Sequence, residues 1–397
     1  MPRMIDRGEQ FAESLKAGTS VGPARDSSDI PRPETVRKPR VSISASGQAE
    51  SREGEGQESF RAQAAKQWQR KIVPLVKTEL AELSGIIDVA LKSRLSEVND
   101  LCAASASSGG KQLRPTLAVL AAKASAAEVG FSSRMKRDLL YSAAAAELVH
   151  LASLVHDDVM DHADTRRHRP TIAKLAGNSS AILLGDYLFT KAYELAASCR
   201  SSYPAKIIAK AAAKLCEGEL RQQHWAGRWE MTVGEYRRIL ALKTGALTAA
   251  SCRLGAWSVR ADKSLRSDMS RFGMQLGVAF QMFDDWLDYW GDDCVGKTLG
   301  TDLRQAKPTL PLLFLLSQVS GEEKITLIGQ LEKPGRSDQE HMAWILSQLD
   351  VHRASEISRE FAERLADGAI ASLGKDEGNK YWQGLKQIAN FSVARMS

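Results

Sequence analysis

From Gln67 onward apolar residues recur every three or four positions, beginning with KIVPLVKTELAELSGIIDVALKSRL, the spacing that gives a helix one apolar stripe. Ala-rich stretches carry the pattern on: LAVLAAKASAAEV, LLYSAAAAELVHLASLVHDD and KIIAKAAAKLCEGEL, then LKTGALTAASCRLGAW and FGMQLGVAFQMFDDWLDYW. No segment of period two bounded by turn residues interrupts them, so the pattern predicts an all-α fold. The clearest breaks are Gly109-Gly110 and the glycine-rich stretch around Gly296–Gly300. No second linker and no repeat of fixed period divides residues 66–397, which read as one large helical domain. Residues 1–65 lack the pattern. They are rich in Ser, Gly, Pro, Arg and Glu, and bury too little apolar surface to offset their ordering entropy. A disordered polar tail is expected there, with Arg37, Lys38 and Arg40 as solvated charges.

Composition narrows the classes. Apolar residues make up 43% and charged residues 26%, an ordinary globular balance. No apolar run approaches the roughly 18 residues that span a bilayer, so no membrane span is expected, although peripheral contact stays open. The 54 basic and 48 acidic side chains give a net charge of only +6, and they are interspersed, which argues against a nucleic-acid binder. The five cysteines are far apart and never paired as CxxC, which fits a reducing compartment. The opening MPRMIDRGEQ is followed by no apolar stretch and soon carries acids, so a cytoplasmic location is expected.

Two acid clusters stand out. In His156-Asp157-Asp158-Val159-Met160-Asp161, Asp157 and Asp161 lie one helical turn apart with Asp158 beside them. In Asp284-Asp285-Trp286-Leu287-Asp288 the same spacing recurs. Like charges at that spacing destabilise a helix unless a cation lies between them. Acidic helix faces are usually solvated surface, yet both clusters are embedded in apolar sequence where unpaired acids are costly. Mg²⁺ suits them, because it shares its shell between one or two carboxylates and substrate phosphates. Cations complete the picture. Lys111 and Arg114 follow the glycine pair, Arg166-Arg167 trail the first cluster, Lys243-Thr244 sit in an apolar helix, and Lys297 and Lys307 flank Asp302. Each alone reads as surface charge. Together with the acids they describe a site for two anionic groups, some bridged by metal and some held by Lys and Arg directly.

In these segments the chain resembles the trans-isoprenyl diphosphate synthases, or polyprenyl synthetases. The resemblance rests on GGKQLRP, HLASLVHDDVMDHADTRRHRPT, LKTGAL and FQMFDDWLDYWGDDCVGKTLGTDLRQAKPTLPL, in family order, and extends over residues 67–397. It implies the isoprenoid synthase fold, a large helical bundle around a central cavity, and usually a homodimer. It implies head-to-tail condensation of isopentenyl diphosphate with an allylic prenyl diphosphate, with two or three Mg²⁺. Carried over by position, Lys111, Arg114, His150 and Arg167 would hold isopentenyl diphosphate. Arg166, Lys243, Thr244 and Gln281 would grip the allylic diphosphate, with Lys297 near it. Asp157, Asp158 and Asp161, with Asp284 and Asp288, would bind the metal. Asp157, Asp158, Asp161, Lys243, Asp284 and Asp285 are the expected catalytic set.

Helix geometry agrees with several of these. His150 precedes Asp157 by two turns, and Gln281 stands on the face of Asp284, Asp285 and Asp288. In the family, the two positions four and five before the first aspartate help form the cavity floor. Ser153 and Ala152 stand there and are small, which favours a medium- or long-chain product such as a quinone side-chain precursor over a farnesyl- or geranylgeranyl-type one. His168 departs from the usual glycine after the arginine pair. His150, His156, His162 and His168, six apart, face different ways on a helix, so a zinc site is rejected. A terpene cyclase needs no second diphosphate site, and a head-to-head synthase lacks GGKxxRP. An inactive subunit of a hetero-oligomeric synthase would have lost aspartates that are intact here.

Overall fold

The structure, a computed structural model, describes residues 65–106, 112–126, 131–167, 169–291, 300–332, 339–374 and 379–393. The expected polar tail, Lys111 and Lys297 lie outside the described residues. A short π-helical turn, Trp68–Ile72, leads into helices α1 (Val73–Leu91), α2 (Ser96–Ala106), α3 (Leu113–Ser125) and α4 (Ser133–Met160). Then come α5 (Ile172–Ala176), α6 (Asn178–Ala197), α7 (Tyr203–Trp225) and α8 (Val233–Leu240). A second π-helical turn, Ala241–Gly245, runs into α9 (Ala246–Ser258), followed by α10 (Lys263–Trp290) and α11 (Thr301–Arg304). Helices α12 (Leu310–Gln318), α13 (Gly321–Leu331), α14 (Gln339–Val351), α15 (Ala354–Ser372) and α16 (Lys380–Ser392) complete the bundle. The all-α expectation holds, with one addition. Strands β1 (Thr165–Arg166) and β2 (Arg169–Pro170) pair antiparallel across the arginine turn, and two residues per strand are too few for any periodicity to announce them.

Helix starts follow local chemistry. The side chains of Ser132, Asp262 and Asn379 accept backbone N–H groups at the first turns of α4, α10 and α16. Helix α4 is central: it packs against α1, α3, α6 and α9. Its Ala143, Ala144, Ala145 and Ala146 are wholly buried, and side chains this small let neighbouring helices approach closely. Helix α9 is drawn closer still against α3, since a Cβ on Gly255 would lie 2.1 Å from the Ala118 carbonyl oxygen. Helix α4 also corrects an expectation. By length and composition it is apolar enough to cross a membrane, but its apolar residues are consumed by packing inside the bundle and its last turns carry three aspartates.

Far from those aspartates, Arg200 fastens three elements together. Its backbone N–H and Nη1 donate to the buried Asp138 of α4, at 2.9 and 2.5 Å, while Nη1 and Nη2 donate to the Ser258 and Trp257 carbonyls of α9. Asp138 stands about 28 Å along α4 from Asp157, so this pole is anchored and the other carries the polar residues. Around the C-terminal half of α10 a second apolar cluster joins α8, α12 and α15 through Tyr236, Ile239, Phe283, Leu313 and Ala366.

Candidate active site

Both acid clusters occupy the last turns of 28-residue helices, α4 and α10. That is the unfavourable end, where the negative pole of the helix dipole adds to the repulsion between carboxylates. On α4, Asp158 is only 6% exposed, and Arg166 donates Nε to its Oδ1 at 2.7 Å. The β1–β2 ribbon makes this contact possible by turning the chain back beside the helix, with Arg167 in a left-handed conformation (φ 51°). Lys307 approaches Asp161 Oδ1 at 3.6 Å from beyond α11. Burial pushes the Asp157 carboxyl up to about 6, against the pull of Lys243, and Glu219 and Asp161 push the same way. Burial likewise raises Asp158, with Arg166 opposing.

The second cluster is held differently. Asp285, 7% exposed, accepts hydrogen bonds from Gln281 Nε2 on Oδ1 (3.0 Å) and from the Tyr236 hydroxyl on Oδ2 (2.6 Å). Thr244 donates to Gln281 Oε1 at 3.0 Å, so a chain of bonds runs from the second π turn to α10. Burial, aided by Asp284, keeps Asp285 above the ordinary carboxylate range despite those two bonds. Asp288 Oδ2 accepts the Asp302 backbone N–H at 2.9 Å. Burial, then Asp285 and Asp288, hold Asp302 well above its usual range.

Lys243 stands between the walls. It projects from the π-helical turn, an irregularity that in helical proteins often marks functional sites. Its Nζ lies 2.6 Å from Glu219 Oε2 and donates to Gln222 Oε1 at 2.8 Å. Burial alone would lower the Lys243 ammonium, but Glu219 and then Asp157 outweigh it and the net shift is upward. The same ammonium acts on Asp157 of one wall and on Asp285 of the other. Lys307 likewise acts on Asp161 and Asp302. Helix α9 packs against both α4 and α10 and holds the two apart. Lys243 and Lys307 are thus each within electrostatic reach of acids at or beside both clusters.

A second subsite adjoins the first wall. Arg114 opens α3 behind Gln112, whose φ is 45°. Its Nε is buried without a partner, as is Oε2 of Glu147. Burial, then Arg114, Arg166 and Arg167, hold His150 well below its usual range, so the imidazole is neutral at physiological pH. Burial raises Glu147, against Arg114 and Arg167. Buried guanidinium nitrogen left unpaired is what an anion would satisfy.

The structure brings Arg114, Arg166 and Arg167 into electrostatic reach of His150, and Lys243, Asp161 and Arg166 into that of Asp157. Arg166 also bonds Asp158, while hydrogen bonds join Thr244 to Gln281 and Gln281 to Asp285 on α10, the helix that also carries Asp288. Asp284 shares α10 with them and acts on Asp285. Ala152 and Ser153 are buried in α4, with the Ser153 hydroxyl donating to the His150 carbonyl at 2.8 Å. Sequence reading missed Glu147, Glu219, Gln222 and Tyr236 as site residues. Glu147 had a signal, standing one turn before His150, and so did Glu219 and Gln222, three apart on α7; Tyr236 had none. Among the described residues no three His, Cys, Asp or Glu side chains form a metal cage of their own. Divided walls offering one or two carboxylates each still fit Mg²⁺, because phosphate oxygens and water complete its shell.

Comparison with known proteins identifies the family. The polyprenyl synthetase family profile matches residues 96–349. The chain is 34% identical over 296 residues to heptaprenyl diphosphate synthase component 2 of Geobacillus stearothermophilus, covering 74% of this chain and 89% of that protein. It is 36% identical over 273 residues to geranylgeranyl diphosphate synthase of Mycobacterium tuberculosis, covering 68% and 76%. Its fold is similar to the crystal structure of a polyprenyl synthase from Caulobacter crescentus complexed with calcium and isoprenyl diphosphate. That match has a TM-score of 0.75 and 30% identity, and covers 83% of this chain and 98% of that one. With family profile, relatives and fold in agreement, the chain belongs to the polyprenyl synthetase family and is a trans-polyprenyl diphosphate synthase, a prenyltransferase.

Proposed function

We propose that the chain joins isopentenyl diphosphate head to tail to an allylic prenyl diphosphate, releasing pyrophosphate and giving an all-trans product of medium or long chain. The observation that carries this reading is the adjacency of two anion subsites. Arg166 bonds Asp158 of the first acid wall and also acts on His150 of the Arg114 subsite. Asp157, Asp158, Asp161, Asp284 and Asp288 are the groups that would hold two or three Mg²⁺, which when bound neutralise diphosphate charge and make it a leaving group. Lys243, Arg166, Thr244 and Gln281 grip the allylic diphosphate, a role the family resemblance extends to Lys297. Lys111, Arg114, Arg167 and the neutral His150 hold isopentenyl diphosphate.

The allylic C–O bond breaks, its electron pair leaving with pyrophosphate. The π electrons of isopentenyl diphosphate then form the new C–C bond to the allylic cation, and a proton passes to the departing pyrophosphate. Fixed cations aimed at the developing charge on the leaving group lower this barrier. The apolar helix walls keep water from the cation. No protein nucleophile is needed.

Small side chains at Ala152 and Ser153 support the longer product. The test is incubation with Mg²⁺, isopentenyl diphosphate and farnesyl diphosphate, followed by chromatography of the product alcohols. Chains longer than geranylgeranyl are expected. Failure to release pyrophosphate overturns the reaction, and products that stop at geranylgeranyl establish the short-chain reading, which the Mycobacterium tuberculosis relative favours. Ala152→Phe should shorten the product, at a cost in stability of about 1–3 kcal/mol for overpacking a fully buried site. An unchanged length would move the floor elsewhere.

The active form is a homodimer in this reading, for which Ile182, Leu183 and Tyr193, exposed along one face of α6, supply an apolar surface. A monomer in equilibrium sedimentation would overturn that. The name of the Geobacillus relative, a component 2, keeps a hetero-oligomer as the second reading. A cytoplasmic location completes the proposal.

A further inference from the structure

Lys243 already has an anion. Before any diphosphate arrives, its ammonium lies 2.6 Å from Glu219 and 2.8 Å from the Gln222 amide oxygen, and the Lys243 and Glu219 side chains are 22% and 14% exposed. The contact is built in. Glu219 and Gln222 stand three apart on one face of α7, directly after Gly218. A Cβ on Gly218 would lie 2.6 Å from the Lys243 backbone nitrogen, so the helix and the π-helical turn meet backbone to backbone and only glycine fits. Glu219 also adds negative charge beside Asp157, on the wall that must release pyrophosphate at the end of each turnover. A carboxylate in that position opposes tight retention of any anion on Lys243.

We propose that Glu219 is a positioning residue that fixes the Lys243 ammonium between the acid walls, yields it to the allylic diphosphate, and reclaims it when pyrophosphate leaves. Glu219 touches neither reacting carbon nor, in this scheme, the metal. It acts through Lys243, exchanging ground-state affinity for release. This rests on Lys243 gripping the allylic diphosphate, as proposed above.

The experiment compares wild type, Glu219→Gln and Glu219→Asp. Glutamine keeps an amide oxygen for Lys243 but removes the charge. Calorimetric titration with pyrophosphate and Mg²⁺ should show Glu219→Gln binding about fivefold more tightly, the effect of losing one screened like charge. In steady state the KM for the allylic diphosphate should fall by a similar factor. The kcat should fall too as release becomes slow, while the KM for isopentenyl diphosphate moves less than twofold. Glu219→Asp, which restores the charge, should return pyrophosphate affinity towards wild type. A purely structural role predicts the opposite: weaker pyrophosphate binding, a raised allylic KM, and no distinction between the two variants. Unchanged or weaker affinity in Glu219→Gln overturns the inference and leaves the proposed function standing. A wild type that does not bind Mg²⁺-pyrophosphate overturns both.

Discussion

The two aspartate clusters have almost the same sequence and opposite support. Asp157, Asp158 and Asp161 are steadied by cations: Arg166 on Asp158, Lys307 near Asp161, and Lys243 within reach of Asp157. Asp285 is steadied first by uncharged donors, the Gln281 amide and the Tyr236 hydroxyl, with Lys243 acting on it more weakly, and Asp288 accepts the Asp302 backbone N–H. Cations beside carboxylates can be traded when a more highly charged diphosphate arrives. Neutral hydrogen bonds to a buried carboxylate have no such competitor and fix its geometry. In the proposed reaction the first wall, held mainly by cations, would be the exchanging side of the site and the second, held mainly by neutral hydrogen bonds, its more rigid side.

The metal-binding role proposed for both clusters gives the largest expected effect. Asp157→Ala and Asp284→Ala should each lower turnover about a hundredfold or more, the usual size of a lost electrostatic contact to a developing charge. Normal turnover in either would remove that wall from the reaction. The walls separate at Tyr236→Phe. It strips a donor from a carboxylate with no solvent to replace it, costing about 1–3 kcal/mol in urea unfolding. Arg166→Gln, the matching change at the first cluster, leaves the equally buried Asp158 without its charged partner and should cost more, about 3 kcal/mol. Equal losses would erase the distinction.

The pH dependence of stability sharpens it further. Burial holds Asp157 at about 6 against an ordinary 3.8, so the folded chain keeps that proton more tightly than the unfolded chain does. The resulting stabilisation is complete below the unfolded value and is lost as pH rises through about 6. Asp157→Asn cannot titrate. The melting temperature of substrate-free wild type, relative to this variant, should therefore fall between about pH 4 and 6.5, leaving the variant the more stable by a few degrees at neutral pH. Parallel melting curves across that range would mean burial does not burden Asp157.

What could be read from sequence divides in the same way. The helices, and the clusters at their ends, were legible because i, i+4 spacing inside apolar runs is local information. The cation partners of the first cluster were partly legible too, since Arg166 and Arg167 follow it within a few residues. Of the supports of the second cluster only Gln281, on the same helix face, was legible. Tyr236 lies on a different helix, 49 positions from Asp285, and nothing around it signals a role. Glu219 and Lys243 face one another only because a π-helical turn docks on Gly218, and neither event leaves a periodic trace. Pairings made by tertiary approach of distant segments are invisible to spacing arguments, even when each member is a conspicuous charge.

The smallest effect tests the comparison at the point where the walls meet. Lys307 lies 3.6 Å from Asp161, whose side chain is 38% exposed, and it also pulls down the buried Asp302 beside the second cluster. If its main service is to the exchanging wall, the interaction is a partly solvated ion pair worth less than about 1 kcal/mol. Lys307→Gln should then change turnover about two- to threefold at low ionic strength. The difference from wild type should vanish by about 0.5 M KCl, where the screening length falls to a few ångströms. Its service to Asp302 would behave otherwise, because salt barely screens a charge acting on a buried carboxylate. A Lys307→Gln defect that survives high salt, accompanied by a lower melting temperature, would assign this lysine to the rigid wall and move the boundary between the two regions.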